Sequence, residues 1–326
     1  MNNFKKIGLS ALAGSLVATS VFAGSLSVTG DSSMTFENYT GDSQNNSKAF
    51  SMGNSVNFAG SGELDNGLTV SIAFELDQGA ADGTQTAAQL TADGAVFDSH
   101  SISVSSDTLG SVTLHGHGGS SAQGALDTTA AGDMWDNFDA AGDGVKSSVG
   151  GNNLLVYTLP TMMDGLSVSA SYANKVSTTS ESSYAYGLTY TGVDGLTVKY
   201  GVGDDNTTAA STAEATTMMA SYAYGPITVS ASDTDYDDQT ATDNRSVDSV
   251  NISYTVSDAL SISYGEEEIT DATASAVAAQ YTGFKAAYTA GGMTLTAVMQ
   301  TGENVSYTTA ASEDKDYYSL GLAFAF

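Results

Sequence analysis

Seven short turn motifs, each leading into a strand of alternating residues, constrain the fold of this chain more than any other feature. They begin at Asp65, Asp107, Asp164, Asp194, Gly225, Asp258 and Gly291. Asn-Gly, Asp-Gly and Gly-Gly pairs supply the positive φ values that tight hairpins need. Seven hairpins join fourteen strands, one strand precedes the first turn and another follows the last, so sixteen strands are predicted. The chain is therefore expected to be all-β and antiparallel, with tight turns on one side and longer loops on the other.

The last strand shows the alternation most clearly. Its large residues are Tyr318, Leu320, Leu322, Phe324 and Phe326, and mostly small residues lie between them. About ten residues of this pattern cross a bilayer when the strand is tilted. Alternation alone fits a soluble β-sandwich as well as a transmembrane barrel, since each of these folds buries one face of its strands. Aromatic residues near both ends of many strands match two membrane interfaces, which favours a transmembrane β-barrel.

Residues 1–23 have the pattern of a secretory signal peptide. Two lysines precede an apolar stretch that ends at a cleavage site, Val21-Phe22-Ala23. The apolar stretch is too short for a membrane helix. We therefore expect residues 24–326 to form one barrel domain in the outer membrane of a Gram-negative bacterium.

The charge of the chain is strongly acidic. It has 9 basic and 37 acidic residues, and removal of the signal leaves 7 basic residues and a net charge of 7 − 37 = −30. Nucleic acid is therefore an improbable partner. Cysteine is absent, which excludes disulfides and thiolate metal sites.

The distances between the turns place the irregular segments. Most steps are about thirty residues, which leaves room for two strands and a moderate loop. The step from Gly67 to Gly110 is longer, because of a loop at Gln78–Phe97. The step from Gly110 to Gly165 is longest, and its surplus lies between His115 and Gly151. This segment is the third long loop.

These features together resemble the sixteen-stranded general porins of Gram-negative outer membranes, most closely the alphaproteobacterial type. The resemblance covers the mature chain and rests on the signal peptide, the Gly-Leu-x-Val hairpins, the long third loop and the final Phe326. It implies that the third loop folds into the barrel and narrows it, and that the protein is a homotrimer among outer-membrane lipids. It also implies that Phe326 is an assembly signal. The chain departs from the best-known members, which set a basic cluster against an acidic loop.

The third loop contains the residues expected to form the constriction. Trp135 and Phe138 are predicted to anchor the loop to the wall. Its carboxylates are predicted to line the narrowest section, where they would favour cations; they are Asp127, Asp133, Asp136, Asp139 and Asp143. The alternative is a solvated acidic loop at the rim.

Charged residues on the strands are candidates for the lumen wall. Strand phase points Asp31, Glu37, Glu75, Lys199 and Lys285 inward, and Arg245 lies near a strand start. Glu37 and Arg245 could instead lie in the vestibule above the membrane.

Other polar groups suggest simpler roles. His115 and His117 are interpreted as pore-facing polar residues rather than metal ligands, because no third ligand is evident. The carboxylates of Asp233–Asp238 and the run Glu266–Glu268 are interpreted as solvated outer loops. A loop-bound divalent cation such as calcium stays possible, although the spacing departs from a calcium loop. No cofactor is expected.

The function predicted from these observations is a passive channel for small hydrophilic solutes and ions, biased towards cations. No catalytic motif occurs, so an enzyme is not expected. The alternative is an exported surface or adhesin-type β-protein without a channel. A substrate-selective channel would need aromatic tracks or a basic patch in the lumen.

Overall fold

The computed structural model describes residues 24–40, 48–77, 97–138, 144–175, 180–208, 211–238, 244–272, 277–309 and 314–326. These residues form sixteen antiparallel strands that close into a barrel, in which each strand pairs with its sequence neighbours and β1 pairs with β16. The strands are β1 Ser25–Thr40, β2 Lys48–Glu63, β3 Thr69–Asp77, β4 Ser99–Ser106, β5 Gly110–His117, β6 Leu154–Thr158, β7 Leu166–Ala173, β8 Ser183–Val193, β9 Leu196–Thr208, β10 Ser211–Tyr224, β11 Ile227–Asp238, β12 Arg245–Ser257, β13 Leu260–Asp271, β14 Ala279–Ala290, β15 Met293–Glu303 and β16 Lys315–Ala325. The predicted strand number and fold class are confirmed.

All seven predicted turns connect adjacent strands at the same end of the barrel. Positive φ values occur at Gly67, Gly110, Gly165, Gly195 and Gly225, and at the Gly291-Gly292 pair. The Asp258-Ala259 turn has no such residue. The connection from β6 to β7 is longer than a two-residue turn, because β6 already ends at Thr158.

The two faces of the wall differ as the alternation predicts. Large apolar side chains are exposed on the outer face, including Ile72 of β3, Ile252 of β12 and Leu320 of β16. Serine, threonine, glycine and alanine dominate the inner face. Apolar groups on the outside of a closed sheet require an apolar environment, and no edge is left unpaired. No helix in the described residues is long and apolar enough to span a membrane.

The described part of the segment between β5 and β6 lies inside the barrel. It contains two short 3₁₀ helices, Gly124–Leu126 and Met134–Phe138. A buried apolar cluster forms where the second helix meets the wall, and it includes Val247, Ile269 and Tyr281. The predicted inward-folded third loop is therefore confirmed.

Two acidic segments interpreted as loops are in fact strand. Asp233–Asp238 is the end of β11, and Glu266–Glu268 lies in the middle of β13. The interpretation was wrong because ladder pairing to adjacent strands overrides the low β-propensity of Asp and Glu.

Candidate pore constriction

Serine side chains on the inner wall hold the backbone of the third loop. The amide of Ala122 donates to Ser171 Oγ at 2.9 Å. Farther along the loop, the amide of Ala130 donates to Ser232 Oγ at 2.8 Å and that of Ala131 to Ser249 Oγ at 2.9 Å. A hydroxyl on a strand is short enough to let a second backbone layer approach and still accept a hydrogen bond. The loop therefore follows the wall as an inner layer.

Glycines on the inner wall make room for this layer. A Cβ atom at Gly187 would overlap the carbonyl oxygen of Ala122, and one at Gly265 would lie 2.6 Å from the Ala131 side chain. Wall positions facing other parts of the loop are also glycine, namely Gly201, Gly203, Gly283 and Gly302. The many non-turn glycines of the sequence thus have a packing role in this part of the barrel.

Two apolar side chains of the second 3₁₀ helix fix it to the wall. Met134 and Phe138 are buried. The Phe138 ring contacts Tyr281 of β14 and Tyr317 of β16, with centroid distances of 5.3 and 6.4 Å. Trp135 is half-buried and its ring packs against Gly144 of the same loop. The Trp135 side chain also packs against the buried cluster of loop and wall residues that includes Met134. Its predicted role as an anchor stays a prediction.

Glu267 is the functional residue that sequence reasoning missed. Its carboxylate points inward, is 2% exposed, and accepts hydrogen bonds from Thr129 Oγ1 and, at 3.3 Å, from the amide of Trp135. Thr129 Oγ1 also accepts the amide of Asp133 at 2.7 Å. The available signal was strand phase: Glu267 is in phase with inward Ser263 and Gly265, whereas Glu266 and Glu268 face outward.

The predicted loop carboxylates have different surroundings. Asp136 is exposed, whereas Asp133 is half-buried and accepts the amide of Thr129 at 3.0 Å. Asp127 is half-buried; burial, and then the nearby Asp133 carboxylate, raise its pKa to about 6. Asp139 and Asp143 lie outside the described residues.

The Arg245 side chain is buried between the wall and the third loop and does not face the open lumen. Its guanidinium is 2.8 Å from Asp271 Oδ2, and both side chains are 6% exposed. It also donates to the carbonyl of Gly144 at 3.0 Å. This buried pair holds the end of the loop, so its positive charge is compensated within the wall.

The predicted acidic wall residues lie on β1 and β3. Asp31 accepts a hydrogen bond from Ser55 Oγ at 2.6 Å, and Glu75 accepts one from Ser99 Oγ at 3.3 Å. Glu37 accepts one from the hydroxyl of Tyr317 at 3.2 Å. Strands β1 to β6 contain one Lys and no Arg in the described residues, and that lysine, Lys48, is the first residue of β2.

Two lysines lie on the part of the wall that carries the loop. Lys199 precedes Gly201 by one inward position on β9, and Lys285 follows Gly283 by one inward position on β14, which runs in the opposite direction. Both glycines contact the loop, at Gln123 and Met134 respectively. The lysines therefore lie just to the tight-turn side of the loop.

A closed sixteen-stranded barrel with an inner loop and an apolar outer face agrees with the comparison to known families. The model of the Gram-negative porin family matches residues 8–289. The chain belongs to the Gram-negative porins. It is thus an outer-membrane channel protein, of a family that consists of channels rather than enzymes.

Solved porin structures share the fold at low sequence identity. The anion-selective porin from Comamonas acidovorans has a TM-score of 0.70 and 15% identity, over 93% of this chain and 100% of that one. OmpF of Salmonella typhi in complex with daunomycin has a TM-score of 0.67 and 14% identity, over 92% and 97%. The trimer form of Vibrio cholerae OmpT has a TM-score of 0.64 and 13% identity, over 93% and 100%. None of the curated proteins compared with the chain matches it. These likenesses concern the fold, so ion preference has to be argued from the charges of this chain.

Proposed function

We propose that this porin is a cation-preferring diffusion channel for small hydrophilic solutes, with the third loop as its constriction. The observation that carries the proposal is the set of contacts that fix the loop to the inner wall. Hydrogen bonds to β7, β11 and β12 and apolar contacts to β14 and β16 hold it across a large part of the inner wall. A layer fixed at this many points narrows the lumen permanently.

The distribution of charge supports the cation preference. The loop contributes Asp127, Asp133 and Asp136, and the facing strands contribute Asp31, Glu37 and Glu75. No arginine cluster faces the loop carboxylates within the described part of β1–β6, and the buried Arg245 is paired. Carboxylates on both sides of a narrow aqueous passage raise the local cation concentration and exclude anions.

Planar-bilayer recording in a KCl gradient tests this assignment. We expect a reversal potential of the sign for potassium preference, and we expect replacement of Glu37 and Glu75 by glutamine to move it towards zero. Replacement of the outward Asp204 by asparagine together with the outward Glu214 by glutamine is the matched control, because it also removes two charges but outside the lumen. A reversal potential of the sign for chloride in the unmodified protein would contradict the proposed preference.

We further propose a homotrimer, with residues 1–23 removed as a signal peptide and Phe326 read as an assembly signal. In the structure, Phe326 closes the barrel by a reciprocal pair of backbone hydrogen bonds with Gly30, at 2.8 and 2.9 Å. A trimeric barrel should migrate on a detergent gel as a compact species that heating converts to the monomer. Migration as a monomer without heating, together with an intact mass of about 31 kDa in mild detergent, would contradict the trimer, because one mature chain has roughly nine-tenths of the 33.2 kDa of the precursor.

Binding of calcium or another divalent cation by the outer loops stays a proposal based on the sequence. The described residues contain no group of three or more imidazoles or carboxylates able to hold a metal ion.

A further inference from the structure

A depression of about 550 Å³ lies on the wall at strands β9 to β12. Side chains facing the outer side supply most of its lining, including Tyr200, Met218 and Val250. The inner side of the same wall is covered by the third loop, whose Ala130 and Ala131 bind Ser232 and Ser249. Because no loop residue lines the depression, it opens to the outer, lipid-facing side.

Two alanines account for the shape of the depression. Ala220 of β10 and Ala231 of β11 are directly paired, and they lie between Val198 of β9 and Val250 of β12. The neighbouring row on the tight-turn side carries larger residues, with Tyr222 paired to Val229. Two small side chains surrounded by larger ones leave a concave apolar surface within the belt.

Two carboxylates close the end of the depression nearer the long loops. The register places Asp233 of β11 directly opposite Asp248 of β12, and both line the depression. Directly opposed residues have Cβ atoms about 4.5–5.5 Å apart, and like charges in this arrangement destabilise a sheet. A cation between the two carboxylates would offset that repulsion.

Lys199 is the basic residue among those lining the depression, and strand phase directs its side chain to the inner wall and not to this face. In the described residues of β9 to β14, the basic residues Lys199, Arg245 and Lys285 all lie in phase with the inner wall. More carboxylates share the outer face with the pair, and they are Asp204, Glu214, Asp235, Asp237, Glu266 and Glu268. The negative charge on this face is therefore not balanced by basic residues of these strands.

The chemistry favours an organic cation over a metal ion. The described residues include no set of three carboxylates or imidazoles arranged to hold a metal. A primary ammonium has three donors and can satisfy two carboxylates at once. The apolar depression is continuous with the carboxylates, so one molecule with an ammonium group and an acyl chain could occupy both.

We propose that this depression binds an outer-leaflet lipid whose headgroup carries a primary ammonium. The ammonium lies between Asp233 and Asp248, at the upper limit of the apolar belt, and an acyl chain lies over Ala220 and Ala231. Long loops face the cell exterior in barrels of this kind, which places the headgroup in the outer leaflet. The site is separate from the lumen, so the inference does not depend on the proposed ion preference.

Native mass spectrometry of the purified porin tests this site. The probes are phosphatidylethanolamine, phosphatidylcholine and phosphatidylglycerol with identical acyl chains. We expect phosphatidylethanolamine to be retained at least about threefold better than either other lipid, the effect of a modest ion pair. The double substitution Asp233→Asn with Asp248→Asn should remove this preference. The matched control, Asp204→Asn with Glu214→Gln, removes two outer carboxylates that do not line the depression and should leave the preference intact.

A second variant tests the chain-binding part independently. Ala231→Trp fills the floor of the depression, leaves both carboxylates in place, and should reduce phosphatidylethanolamine retention. Heat-modifiable migration on a gel establishes that each variant is folded. Equal retention of the three lipids by the unmodified protein would overturn the proposal, as would an unchanged preference in the asparagine double variant or unchanged retention of phosphatidylethanolamine in Ala231→Trp. Retention of phosphatidylglycerol that requires added calcium and these two aspartates would overturn it in favour of a divalent bridge to phosphate.

Discussion

Acidification should weaken the cation preference of this porin through one residue of the third loop. Burial and the neighbouring Asp133 carboxylate raise the pKa of Asp127 to about 6. A group with that pKa goes from roughly nine-tenths ionised at pH 7 to roughly one-tenth ionised at pH 5. A raised pKa means that the proton binds at a higher pH than for an ordinary aspartate, so the negative charge is lost as the pH falls through 6.

The size of the effect follows from Coulomb's law. One charge about 5 Å from an ion path in water contributes about 0.8 kcal/mol, or about 0.5 kcal/mol after screening at 0.1 M salt. This corresponds to about a twofold change in the local concentration of a monovalent cation. The local concentration of a monovalent anion changes by the same factor in the opposite direction, so we expect the potassium-to-chloride permeability ratio to fall by a factor of roughly four between pH 7 and pH 5.

Reversal potentials measured in a salt gradient at pH 7, 6 and 5 would show this step. Asp127→Asn should already have the lower permeability ratio at pH 7 and should show no further decrease between pH 7 and pH 5. Asp136→Asn, which removes the exposed carboxylate of the same loop, should lower the ratio at all three pH values and keep the step. A full step that persists in Asp127→Asn would refute the assignment to this residue, and a flat profile in the unmodified protein would refute the reasoning as a whole.

Three further substitutions test the contacts that hold the third loop on the inner wall. Phe138→Ala should cost about 3–5 kcal/mol of anchoring and raise the single-channel conductance, because it leaves a cavity against the wall; unchanged conductance would contradict the anchoring role. Gly187→Ala should displace the loop through its overlap with Ala122 and increase open-channel noise, whereas Gly62→Ala, whose added Cβ has 3.9 Å of room, should leave recordings unchanged. Arg245→Met should lower the temperature of heat modification, since loss of one member of a buried pair costs about 3–5 kcal/mol; an equal or higher temperature would show that the pair does not hold the fold.

Sequence reasoning was most successful where the physical cause is local. Turn residues with positive φ and the two-residue alternation of side chains act over a few positions, so they indicate the strand number and the face of each residue. Asp31, Glu75, Lys199 and Lys285 all lie on strands in the inward phase that the alternation predicts. The roles of these residues in permeation stay predictions.

Sequence reasoning was least successful where a run of charged residues forms part of a strand. Glu266–Glu268 has the composition of a loop, yet pairing to β12 and β14 keeps it in the ladder. Composition describes a segment in isolation, whereas backbone pairing depends on neighbours brought together by the closure of the barrel. The single inward member, Glu267, becomes an anchor for a loop that begins more than a hundred residues earlier in the chain.

The sequence by itself determined that this chain is a sixteen-stranded barrel with tight turns at one end and surplus length in the third loop. Only the tertiary structure decided how that loop is seated: Ser171, Ser232 and Ser249 accept its amides, Glu267 and Arg245 hold it from beneath, and wall glycines make room for it. Strand periodicity reports which way a residue points, because it is a property of the local backbone. It does not report what the residue meets there, because that depends on segments distant in sequence that the closed barrel brings into contact.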